Sequence, residues 1–351
     1  MMNRGIVTAA VLSCVALLAS ACAAAKPVTV QAPMPSISTS SPSPAPATPG
    51  RSTNSNSVLI LSGGYERTYR VHVPLTAPQG PRPLIIALHT GGGTPTGMEY
   101  GIGLDSAADR AGIYVVYPEG IGGFWNNGRP SSVVHSGGVN DYQFVLDTLA
   151  DAEQRNDVDP NRVFLAGQGD GAALALQIAA RYPGVFAGVV AVSGQFILAP
   201  SVPMPTVPIS VVFIHGTEDP YYPLVGVPDP AQGPIDSLAH TVNTYVALDH
   251  VGAPQTKQLP DRAPLDATTI TETTWAPGPQ GYTVTLYTVQ GGGSPWPGGS
   301  VNTRDLVQNG RTSQSLDASG VVEHFAIDTK RATPASPIPA TTPSSTMYPT
   351  P

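Results

Sequence analysis

Five short runs of apolar residues set the frame of this chain: 84–88, 113–117, 163–166, 189–192 and 209–214. Each is bounded by Gly or Pro and is apolar on both faces, the pattern of central strands in a parallel sheet. Between them fall stretches with helical spacing, at 103–111, 140–154, 171–181 and 235–248, and a last helix is predicted near 316–328. Strand and helix alternate with short connections, which predicts an α/β architecture with a doubly wound, mostly parallel sheet and helices on both faces. Ahead of these lies a β-rich stretch, 57–74, in which Tyr69, Val71 and Val73 alternate with polar residues as in a half-buried strand. The segment 252–280 has little periodicity and is read as loop and edge structure before a strand at 282–289.

The ends of the chain are different in kind. Residues 1–21 have a positive start at Arg4, an apolar stretch and small residues before Cys22, the form of an export signal. Leu18-Ala19-Ser20-Ala21-Cys22 resembles a bacterial lipobox, which implies cleavage before Cys22 and lipid modification of its thiol. Residues 22–56 and 330–351 are rich in Pro, Ser, Thr and Ala, too polar and too poor in aromatics to fold alone, and read as a stalk and a tail around a domain at 57–329. The expected location is the cell envelope, on the outer face of the cytoplasmic membrane, with the membrane itself as partner through Cys22.

Composition removes several functions. The 351 residues carry a net charge of −7 with only 12% charged side chains, so no basic surface is available for nucleic acid. Both cysteines, Cys14 and Cys22, lie in the N-terminal segment, which leaves the domain without a disulfide, a thiol nucleophile or a cysteine metal site. The histidines have no metal-ligand spacing, and neither metal nor cofactor is expected.

Chemistry is expected where the run 163–166 meets Gly167-Gln168-Gly169-Asp170-Gly171 and a helix follows. A strand–turn–helix with this glycine spacing is the setting of a G-x-S-x-G nucleophile elbow, but glycine stands at its centre. The same glycines would suit a phosphate loop. Against that, the turn comes late in the strand series, lacks a lysine, and sets Asp170 where it would repel an anion.

The segments around the turn identify a family resemblance. Leu88-His89-Thr90-Gly91-Gly92-Gly93, Val116-Tyr117-Pro118-Glu119-Gly120, Trp125-Asn126, Asn140-Asp141, Ile214-His215-Gly216-Thr217-Glu218-Asp219 and Gly291-Gly292-Gly293-Ser294-Pro295-Trp296-Pro297-Gly298 follow one another as in the polyhydroxybutyrate depolymerase-like esterases, relatives of feruloyl and acetylxylan esterases. The resemblance spans about residues 57–328 and implies the α/β-hydrolase fold. It also implies Asp219 as triad acid, and oxyanion donors from the backbone near Thr90 and from Asp170. The nucleophile falls on Gly169, and the histidine of the family's G-G-G-H-x-W-P-G loop falls on Ser294.

Two of three triad members are therefore replaced. A serine attacks an ester only when a base takes its proton, and Asp219 alone orients a histidine that is absent. The expectation is a catalytically inactive envelope lipoprotein that binds an ester, carbohydrate or acyl ligand, or a partner protein, in the old cleft. The alternatives are an active esterase with a displaced nucleophile and base, and a purely structural protein. His135 is the candidate for a relocated histidine and Ser193 the weaker candidate for a serine, while His89 and His215 read as packed strand-end residues. Trp125, Tyr221, Tyr222 and Trp296 lie in loops at the carboxyl ends of the strands, where ligands bind in such sheets. They are read either as a ligand platform or as packing.

Overall fold

The computed structural model describes residues 55–332 apart from 76–78, 131, 230–232 and 302. The chain divides after residue 47, and all that follows concerns the second unit, Thr48–Pro351. The export signal, Cys22, the stalk up to residue 54 and the tail from 333 lie outside the described residues.

Ten strands form one sheet: β1 (Ser55–Ser62), β2 (Tyr65–His72), β3 (Arg82–Leu88), β4 (Tyr114–Pro118), β5 (Val158–Gln168), β6 (Gly188–Val192), β7 (Ser210–Gly216), β8 (Pro254–Gln258), β9 (Thr269–Trp275) and β10 (Val284–Gln290). Their spatial order is β1-β2-β4-β3-β5-β6-β7-β10-β9-β8. The run from β4 to β10 is parallel, whereas β1, β2, β9 and β8 pair antiparallel at the two ends. Residues 55 and 56, assigned to the stalk by composition, are the first residues of β1.

Strand parity explains why the five apolar runs have no polar face. Leu84, Ile86 and Leu88 of β3, with Val189 and Ala191 of β6 and Val211 and Phe213 of β7, pack on one side of the sheet. They meet α3 (Asp141–Arg155), α4 (Asp170–Arg181) and α5 (Leu238–Leu248) through Phe144, Leu174, Ile178 and Tyr245. The alternate residues Ile85, Ala87, Val190, Val192, Val212 and Ile214 pack on the other side. There they meet α2 (Leu104–Ala111) and α7 (Ala318–Asp328) through Leu104, Ala108, Val322 and Ala326. Each such side chain contributes about 1.5–3 kcal/mol when fully buried.

Two further helices, α1 (Pro95–Ile102) and α6 (Thr303–Asn309), have no counterpart in the sequence pattern. Helix α1 starts on a local signal: the Thr94 hydroxyl accepts the Gly97 N–H at 3.0 Å and Pro95 follows as the first helical residue. The unpatterned segment 252–280 supplies β9 and the edge strand β8. A parallel sheet with β2 reversed and helices on both faces is the α/β-hydrolase fold, here extended by β9 and β8.

Candidate functional site

At the carboxyl end of β5 the chain reverses through a single residue. Gln168 ends the strand, Asp170 begins α4, and Gly169 between them has φ 56° and ψ −121°. That region costs a non-glycine residue on the order of 1–3 kcal/mol. The strand and helix nearly touch: a Cβ on Gly167 would overlap the Gly171 carbonyl, and one on Gly171 would overlap the carbonyls of Leu88 and His89. A Cβ on Gly169 would meet only a side chain, the Thr90 hydroxyl, at 2.6 Å. The turn therefore keeps the form of an elbow, with Thr90 standing over its centre.

Asp170 heads α4, whose N-cap, Gly169, offers no side-chain hydrogen bond. Its carboxylate instead organises the cleft wall. Oδ1 accepts from the Tyr222 hydroxyl at 2.6 Å and from Asn127 Nδ2 at 3.2 Å, and Arg129 Nη1 lies 3.6 Å away. Burial, followed by the neighbouring Asp170 charge, holds the Tyr222 phenol well above its usual range, so it remains a donor. Tyr222, Asn127 and Arg129 have no motif that marks this role, which arises from contacts across the fold.

The acid position follows β7. Asp219 Oδ1 accepts the backbone N–H groups of Tyr221 at 2.8 Å and Tyr222 at 2.9 Å. Its other oxygen, Oδ2, is buried and has no hydrogen-bond partner among the described residues. His215 Nε2 is 3.8 Å from it and donates instead to the Tyr222 carbonyl at 2.6 Å. Burial lowers the His215 pKa, which keeps the ring neutral.

The loop after β10 carries Ser294 at the histidine position. Its N–H donates to the Asn309 carbonyl at 2.8 Å, its hydroxyl to the same carbonyl at 3.3 Å, and its own carbonyl accepts from Gln168 Nε2 at 2.9 Å. This loop is also joined to the acid loop by Glu218 N–H to the Gly292 carbonyl at 2.8 Å and Gly291 N–H to Thr217 Oγ1 at 2.9 Å. Elbow, acid loop and histidine loop are thus tied together by hydrogen bonds, one of them between backbone groups and two through the side chains of Gln168 and Thr217.

A cleft of 540 Å³ opens over the elbow, with Thr90, Phe124, Gly169, Asp170, Ser294 and Trp296 among its walls. Tyr221, 52% exposed, stands at its rim with its hydroxyl 3.1 Å from Asn309 Oδ1. Trp125, grouped with the cleft on sequence grounds, is not one of its walls. It is 1% exposed, donates Nε1–H to the His89 carbonyl at 2.7 Å and packs on the His89 ring at 4.6 Å. Trp296 borders the cleft but is buried, held by Nε1–H to Ser319 Oγ at 3.1 Å. The exposed aromatic walls of the cleft are Phe124 and Tyr221.

Of the candidate replacements, His89 borders the cleft and His135 and Ser193 do not. His89 lines the cleft but is engaged at both nitrogens, by the Thr90 carbonyl at 2.8 Å and the Gly120 N–H at 3.0 Å, and burial lowers its pKa. His135 lies exposed on a 3-10 turn away from the cleft walls, with Asn126 Oδ1 at 3.1 Å from its Nδ1. Ser193 is buried at the end of β6 with φ 53° and is not a wall of the cleft. A larger groove of 1180 Å³ beside α7 holds no residue of the elbow.

Comparison with known proteins places this geometry. Over 291 residues the chain is 33% identical to NocK of Nocardia uniformis subsp. tsuyamanensis, a protein that carries an esterase name, covering 79% of this chain and 83% of NocK. Residues 129–255 match the family profile described as Phospholipase/Carboxylesterase. The chain belongs to this esterase family. A shorter match, 30% identity over 129 residues, joins the esterase-like chain to poly(3-hydroxyalkanoate) depolymerase C of Paucimonas lemoignei, covering 35% of this chain and 30% of that one. A solved acetyl xylan esterase from Aspergillus awamori overlaps 66% of this chain and 92% of its own at 16% identity, with a TM-score of 0.48.

Proposed function

We propose that this esterase-like hydrolase has lost acyl transfer and binds an ester, carbohydrate or acyl ligand, or a partner protein, in the cleft over Gly169. The observation that carries the reading is Asp219 Oδ2, a buried carboxylate oxygen without a hydrogen-bond partner among the described residues. A triad acid spends that oxygen on a histidine N–H; here Ser294 occupies the histidine position and turns its hydroxyl to Asn309. Leaving such an atom unpaired costs about 1–3 kcal/mol, a cost that makes sense as the remnant of a triad whose other members were replaced. In a serine protease, loss of the serine or the histidine alone lowers turnover about 10⁶-fold. The lipobox-like sequence at Cys22 supports display of the domain at the outer face of the cytoplasmic membrane.

Restoration tests the reading. The parent chain is expected to leave short-chain aryl esters unhydrolysed and to resist a fluorophosphonate probe. Gly169→Ser with Ser294→His is expected to gain both activities, because on this reading Asp219 keeps the acid role and the backbone near Thr90 and Asp170 keeps the donor role. Stoichiometric labelling of the parent chain at any serine would overturn the proposal. A folded double variant with no activity would show that the cleft has diverged beyond the triad. Radiolabelled palmitate incorporation, abolished by Cys22→Ser, tests the anchor.

A further inference from the structure

The two edges of the sheet are built differently. Strand β8 has five residues, opens with Pro254, and sets Lys257 against Glu272 of β9 as an ion pair at 2.8 Å. Shortness, proline and lysine are the devices by which sheet edges avoid pairing with other chains. Strand β1, Ser-Asn-Ser-Val-Leu-Ile-Leu-Ser, has none of them. It is eight residues long, uncharged, free of Pro and Gly, and in unbroken register with β2 from Ser55 to Ser62. Among the described residues only β2 pairs with it, which turns the N–H and C=O groups of alternate residues outward along its whole length.

Its side chains are divided as sharply. Val58 and Ile60 pack inward against the core that α3 covers. Leu59 and Leu61 are 59% and 73% exposed, on the opposite face. A bilayer or a small ligand would cover the leucines but leave the outward amides unpaired; only another strand satisfies both.

We propose that β1 is a dimerisation edge, pairing antiparallel with β1 of a second copy about a two-fold axis at Ile60. The pattern is self-complementary about that point. Leu59 then faces Leu61 of the second copy on either side of the axis, Ile60 faces its own counterpart, and no charge meets another. Cross-strand apolar pairs of this kind are the unit from which sheets are stabilised. One strand pair covers less than the roughly 800 Å² per partner of a standard interface. The association is accordingly weak, with a Kd of about 10–100 μM.

Sedimentation of the full chain in density-matched detergent, together with amide hydrogen exchange, tests the proposal. The mass should rise to that of a dimer over this concentration range, and the amides of residues 56–62 should gain protection in parallel. Leu59→Lys with Leu61→Lys opposes lysines across the axis and should raise Kd at least ~10-fold. Its unfolding midpoint should stay near the parent's, because both side chains are exposed. Thr256→Lys on β8 should leave the dimer intact. A chain that stays monomeric throughout, or a dimer indifferent to the double lysine variant, overturns the proposal. So does protection of the β1 amides that is the same at every concentration, since the edge would then be covered within one copy.

Discussion

Gly169→Ala isolates what the backbone of the elbow demands of its central residue. Two costs are legible in the structure. The backbone at φ 56°, ψ −121° is unfavourable for any residue with a Cβ, by about 1–3 kcal/mol. The added methyl also arrives 2.6 Å from Thr90 Oγ1, which must rotate away at a cost of roughly 1 kcal/mol. The sum, about 2–4 kcal/mol, corresponds to a fall in Tm of roughly 5–15 °C for a domain of this size. Urea denaturation followed by circular dichroism gives the free energy directly. Thr90→Ala made alone and with Gly169→Ala closes a double-mutant cycle. The coupling should return the steric part, about 1 kcal/mol, and leave the torsional part in place. A Gly169→Ala variant within about 0.5 kcal/mol of the parent would refute the reasoning. So would a cycle in which Thr90→Ala restores all the lost stability, since no torsional cost would remain.

Other sites give independent checks. Burial raises the Asp249 carboxyl from 3.8 to about 7, with the Ile209 N–H pulling the other way. A folded-state pKa above the unfolded value means stability that is complete below pH 3.8 and is lost as pH rises through about 7. Asp249→Asn should therefore exceed the parent by about 4 kcal/mol at pH 8 and match it near pH 3, and urea midpoints showing a pH-independent difference would contradict this. Arg67 pairs with Asp141 at 2.7 Å, with side-chain exposures of 3% and 0%, and stacks on Phe144 at 3.8 Å. Arg67→Ala should cost about 3–5 kcal/mol by leaving a buried carboxylate without its cation, and Arg67→Met with Asp141→Leu should recover much of it; a loss under 1 kcal/mol in the single variant would be inconsistent with a buried pair.

The parallel strands were legible because β3, β5, β6 and β7 are covered on both faces, which makes their sequences apolar without alternation. Helix α1 was not, since Gly97 and Gly101 interrupt it and its signal is the local Thr94–Gly97 cap rather than an apolar stripe. Strand β8 escaped for the opposite reason: all five of its residues are exposed, so no periodicity records its pairing. At the site, the positions of Gly169, Asp219 and Ser294 followed from motifs in adjoining sequence. The assignment of Trp125 to the cleft did not survive, because the His89 carbonyl that takes its N–H is 36 residues away. Phe124, next to it in sequence, lines the cleft in its place. Tyr222, Asn127 and Arg129 converge on Asp170 from two other loops, a juxtaposition that only the folded sheet creates.

The loops that carry Asp219 and Ser294 lie back to back on glycine. A Cβ on Gly216 would run into the carbonyls of Gly292 and Gly293, and one on Gly293 would run into the Asn309 carbonyl and Gly310. With the proposed loss of acyl transfer, saturation mutagenesis should therefore show its sharpest intolerance at these glycines. Ser294 should accept several small residues, while Gly216 and Gly293, whose Cβ positions are filled by neighbouring backbone, should accept none. The limits of substitution would then be set by the residues that hold the two loops together and not by those that face the cleft.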